Sequence, residues 1–141
     1  PPPARHLDEA WSAVVAVLRR QVAAPALIVG GRSSGARVAC RTASALDADG
    51  VVALAFPLRP PPRRRAAPPA GPAAERSRAA ELLTGLPTLV VNGERDPFGV
   101  PEPTAGVQVE IRPGERHDLR RDPAGTAAVV VRWLRAHGWA R

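Results

Sequence analysis

The sequence has no lysine, tyrosine or methionine and only one cysteine, and each shortage narrows the reading. The lone Cys40 rules out an internal disulfide, and its place inside a helix-forming stretch reads as a buried, inert thiol. No apolar run approaches the ~18 residues of a membrane span, and no basic-then-apolar leader with a cleavage site is present. No membrane partner is therefore expected, and a cytoplasmic location is the default expectation. Aromatic residues make up 4% of the chain, too few to offer many base-stacking platforms. Every one of the 20 basic residues is arginine, and against 13 acidic residues they leave a net charge of +7. Such an excess invites a phosphate-binding reading. The accompanying wealth of alanine, proline and glycine instead matches a GC-rich coding bias, and the arginines are scattered apart from Arg63, Arg64 and Arg65. No nucleic-acid partner, metal or cofactor is expected.

What is present fits one domain over residues 1–141, long enough to bury roughly two thirds of its unfolded surface. The chain opens Pro1-Pro2-Pro3 without an initiator methionine, so the expectation is that it belongs to a longer polypeptide.

The stretch around which the rest is organised is PALIVGGRSSGARVACRTA, residues 25–43. Ala26 to Val29 are continuously apolar, as in a parallel strand buried on both faces. Gly31, Ser33 and Gly35 then form G-x-S-x-G, followed by good helix formers from Ala36 to Leu46. A serine on so tight a strand-to-helix turn needs almost no side chain two residues before and after it, and glycine at both positions meets that need. The turn leaves the Ser33 hydroxyl at the carboxyl end of the strand and the Ser34 N–H at a helix N-terminus, able to donate to a developing oxyanion. Ser33 is the candidate nucleophile.

Elsewhere, Leu7, Trp11, Val14, Leu18 and Val22 recur at three- and four-residue steps and predict an amphipathic helix over about 7–22. VVALAF at 51–56, TLVVN at 88–92 and the alternating 107–111 predict three more strands. A short helix is expected over 75–83. Asp122 followed by Pro123 opens a final helix that stops at Gly138. Residues 57–74 hold seven prolines and no periodicity, a Pro/Arg-rich loop that would emerge near Ser33 as one wall of a cleft or stand as a plain insertion. Strands alternating with helices predict an α/β fold, a three-layer α/β/α sandwich on a mostly parallel sheet of about four strands.

In such sheets ligands meet the loops at the carboxyl ends of the strands. Three of those loops carry Ser33, Asp96 and His117, in the chain order nucleophile, acid, histidine of a serine hydrolase with a Ser-His-Asp triad. His6 precedes a helix and His137 ends one, so neither competes with His117. Glu94 and Asp118 stand as alternatives to Asp96, Asp118 the weaker because a carboxylate adjacent to the histidine usually points elsewhere.

GGRSSGARVACRTA, VVALAFPL, LPTLVVNGERDPFG and PGERHDL together resemble the small α/β-hydrolase superfamily proteins akin to dienelactone hydrolases. The resemblance is nearest to the α/β-hydrolase-like family named after a testis-expressed protein and a histone acetyltransferase complex subunit, and it extends from residue 4 to the final helix. It implies a triad at Ser33, Asp96 and His117 and a hydrolase label; the leading functional expectation is a serine hydrolase acting on an ester, lactone or related small acyl substrate. Arg32 and Arg95 flank that site and would favour an anionic one. The family pattern also has strands before the helix that leads to the elbow, and a loop supplying a second oxyanion N–H; both are missing here. The nucleophile strand is then expected to be an edge strand, and the 141 residues alone to be inactive or poorly folded. A catalytically silent interaction module is the alternative function.

Overall fold

The computed structural model describes residues 3–61 and 77–141. Its elements are α1 (Ala4–Gln21), β1 (Ile28–Arg32), α2 (Ser34–Thr42), β2 (Gly50–Leu54), a 3₁₀ turn (Ala79–Leu82), β3 (Thr88–Gly93), β4 (Val107–Arg112) and α3 (Pro123–Ala136). The four strands form one parallel sheet in the order β1-β2-β3-β4. Val29 lies opposite Val51, Ala53 opposite Val90, and Asn92 opposite Ile111. All four strands therefore point the same way, and the loops after them converge at one end.

Helices cover both faces, which makes the three layers expected from the alternation of elements. On one face α1 and α2 pack over Val29, Val51, Ala53 and Val90 through Trp11, Ala36, Ala39 and Cys40. On the other, α3 seats Val129 and Trp133 on Val52, Leu89 and Val91. Neighbours along β2 and β3 thus face opposite layers, and both strands read as continuous apolar runs because both faces are covered. A half-buried ion network also ties the first layer together. Arg37 makes a two-pronged pair with Glu81, and Arg41 does the same with Asp8 while touching Glu81 at 3.5 Å. Among the described residues no helix is long and apolar enough to cross a membrane.

Several boundaries differ from the sequence reading. β2 stops at Leu54 rather than residue 56 because Ala55 turns to φ 47°. α2 runs only to Thr42, the chain then turning through Asp47 at φ 51°. The expected helix at 75–83 is a single 3₁₀ turn, Ala79–Leu82; residues 75 and 76 lie outside the described residues, as does the Pro/Arg-rich loop from residue 62 onward. β1 is not buried on both faces: Val29 is buried, but Gly30 and Arg32 are exposed. The reason is the edge position, since β2 is its only strand neighbour among the described residues.

Candidate active site

Ser33 occupies the junction of β1 and α2 at φ 55°, ψ −119°, a conformation that costs a non-glycine residue about 1–3 kcal/mol and persists only where its surroundings impose it. They do. Its N–H donates to the Leu54 carbonyl at 2.9 Å, continuing the β1–β2 ladder, while its own carbonyl accepts from Ala36 and Arg37 as the N-cap of α2. The tightness of the turn also requires Gly31, since a Cβ there would meet the Gly35 carbonyl oxygen at 2.6 Å. A Cβ on Gly35 meets nothing within 4 Å among the described residues, so the steric demand falls on one side of the elbow. Ser34 is the first residue of α2, and its N–H has no intrahelical acceptor available and carries the positive end of the helix dipole.

His117 lies 84 residues further along, in the loop after β4, and its Nε2 is 2.9 Å from Ser33 Oγ. Its other ring nitrogen, Nδ1, is 2.8 Å from Asp96 Oδ2. An ionised carboxylate only accepts, so Nδ1–H donates to Asp96 and Nε2 is left as the acceptor for the Ser33 hydroxyl. The Asp96 side chain is fully shielded from solvent while His117 keeps 24% of its side chain exposed, which leaves the imidazole reachable from outside. Phe98 closes over the ring edge-on, with centroids 4.5 Å apart.

Of the three carboxylates that sequence reasoning left in play, only Asp96 meets the histidine. Glu94 accepts the Gly114 N–H at 2.8 Å, and Asp118 faces Arg120 at 3.8 Å. Arg32 and Arg95 stand beside the site in different ways. The Arg32 guanidinium donates to the Asp118 carbonyl at 3.0 Å, tying the elbow to the histidine loop, and Arg95 is exposed while its backbone N–H donates to the Glu115 carbonyl at 2.9 Å.

Three supporting residues escape a linear reading. Glu115 is 1% exposed, and its carboxylate accepts the N–H groups of Arg121 and Asp122, folding the histidine loop onto the start of α3. Gly93 lets the same loop pass close by, for a Cβ there would stand 2.6 Å from the Arg116 carbonyl oxygen and nearer still to that of Glu115. Asn92 is fully buried one residue before the end of β3, next to the apolar Leu89, Val90 and Val91, and an amide following that apolar run is the one signal the sequence offered. The cavity of about 590 Å³ bounded by Leu86, Thr104, Trp133 and His137 lies at the opposite end of the strands and has no part in this arrangement.

A strand, a strained serine, a helix, and an acid and a histidine on later strand loops are the parts of an α/β hydrolase, and a family model described as "Alpha/beta hydrolase domain" matches residues 1–122. The chain belongs to the α/β-hydrolase family. Among solved structures it is similar to XC6422 from Xanthomonas campestris, described as an α/β serine hydrolase without lid, at 20% identity and a TM-score of 0.65. The match covers 92% of this α/β-hydrolase chain and 56% of that one, so the chain spans a little over half the length of the neighbour whose fold it shares. No curated protein matches the sequence.

Proposed function

We propose that the chain is a serine hydrolase acting on an ester, lactone or related acyl substrate, of the kind handled by dienelactone-hydrolase-like proteins. One observation carries the reading: the unbroken hydrogen-bonded line from Ser33 through His117 to a buried Asp96, at 2.9 and 2.8 Å, starting from a serine held at φ 55°. In this reading His117 Nε2 takes the Ser33 proton as Oγ attacks the acyl carbon. Asp96 holds the ring in the Nδ1–H tautomer and stabilises the imidazolium that forms. The carbonyl oxygen becomes an oxyanion facing the Ser34 N–H. Collapse expels the alkoxide, which takes the proton from His117; water then repeats the sequence on the acyl-serine and releases the acid. Arg32 and Arg95 favour a substrate carrying a negative charge near the acyl group.

The test is intact mass after exposure to a fluorophosphonate, in which the serine oxygen displaces fluoride from phosphorus. A single adduct that disappears in Ser33→Ala and in His117→Ala is expected. The adduct is expected on a version of the chain extended upstream to supply the strands of the family pattern, and a folded extended protein that takes up no adduct overturns the hydrolase reading. That outcome would favour the silent interaction module, for which the specific observation is the apolar side of α1 left open beside the β1 edge, with Val14 and Leu18 of the helix and Val22 just after it all more than half exposed.

A further inference from the structure

Asn92 is the last residue but one of β3, four residues before Asp96, and its side-chain amide is entirely enclosed. Oδ1 accepts the Phe56 N–H at 2.8 Å. Nδ2 faces three acceptors: the Phe56 carbonyl at 3.1 Å, the Gly99 carbonyl at 3.3 Å and Asp96 Oδ2 at 3.4 Å. That environment forces the orientation of the amide, because turning it over would set an oxygen against three acceptors and an NH₂ against a donor. With two hydrogens for three acceptors, one is shared.

The amide does two things that no backbone group could. β2 leaves the sheet at Ala55, so the peptide groups of Phe56 lose their ladder partners, and Asn92 supplies both a donor and an acceptor in their place. The same amide then reaches the oxygen of Asp96 that receives His117 Nδ1–H. The other oxygen, Oδ1, is fixed by the Phe98 N–H at 2.9 Å. Without Asn92 the carboxylate keeps one fixed protein donor besides the histidine itself and is free to pivot about it. We propose that Asn92 is a positioning residue for the hydrolytic reaction, acting through Asp96 by locking the carboxylate, together with the exit of β2, in the one orientation that aligns His117 with Ser33.

This inference rests on the serine-hydrolase reading, and its test separates the two. The rate of Ser33 modification by a fluorophosphonate is measured for the full chain, Asn92→Ala, Asp96→Ala and the double variant, with thermal unfolding recorded for each. Asn92→Ala is expected to slow modification by about tenfold to a hundredfold, the scale of a sub-ångström misalignment, and to slow it no further once Asp96 is gone. A residue that only supports the fold would slow it by the same factor in both backgrounds, and that result overturns the proposal while leaving the hydrolase reading intact. Where Asn92→Ala does not fold, Asn92→Ser replaces it: the hydroxyl can still serve Phe56 but is too short to reach Asp96. A readout independent of reactivity is the low-field Nδ1 proton of His117 in NMR spectra. It is expected to move or broaden away in the Asn92 variant, and an unchanged resonance counts against the proposal even if the native chain takes up no adduct.

Discussion

Replacing Gly93 by alanine tests how tightly the acid and histidine loops must approach. The new Cβ would stand 2.6 Å from the Arg116 carbonyl oxygen and closer to that of Glu115, where ordinary van der Waals contact begins at 3.4 Å. Both obstacles are backbone, so no side chain can swing aside. The histidine loop must retreat by the better part of an ångström from the end of β3. The hydrogen bond from the Arg95 N–H to the Glu115 carbonyl at 2.9 Å spans that gap and would lengthen with it, and His117, two residues on, would be drawn away from Asp96. Overpacking of this kind costs about 1–3 kcal/mol of stability. A misplacement near 1 Å of His117, the base of the proposed reaction, costs on the order of a hundredfold in rate. Paired measurements of thermal midpoint and Ser33 modification rate should therefore show a modest fall in the first and a much larger fall in the second. A Gly93→Ala chain that is modified at the native rate would refute the idea that close passage of the two loops sets the geometry.

Three further outcomes follow from the packing around the site. Glu115→Gln replaces a carboxylate that accepts two backbone N–H groups with an amide that accepts through one oxygen, and should cost about 1–2 kcal/mol by denaturant titration and slow Ser33 modification as the histidine loop loosens. Glu81→Gln breaks the two-pronged pair with Arg37 and the contact with Arg41; after discounting for its partial exposure the loss should be about 1 kcal/mol, shrinking in 1 M salt, and a salt-independent loss would point to packing instead. Burial pushes the Cys40 thiol up from 9.0 to about 12. Between those values the unfolded chain has released this proton and the folded chain has not, so the stabilisation present below pH 9 is lost as pH rises, by up to about 1.4 kcal/mol per unit. Denaturation titrations of the native chain and Cys40→Ala should diverge over that range, and parallel curves would refute the assignment.

What the sequence determined by itself was local or periodic. Continuous apolar runs marked the buried strands β2 and β3, the three- and four-residue recurrence marked α1, Asp122-Pro123 marked the start of α3, and G-x-S-x-G marked the turn that bears Ser33, because each of these signals is written in adjacent residues. The chain order of serine, acid and histidine then singled out three loops at one end of a parallel sheet. Tertiary structure decided everything that depends on side chains meeting across long separations. Glu94, Asp96 and Asp118 are chemically alike within a short span, and only the approach of the β3 and β4 loops selects Asp96 as the partner of His117. Asn92 read as the polar end of a strand until the exit of β2 was seen to leave Phe56 in need of its amide. The need for glycine at position 93 is likewise invisible without the carbonyls of Glu115 and Arg116 that press against it. The edge position of β1 was by contrast already expected from the family pattern, and it explains why apolar residues that a central strand would bury stay partly open there.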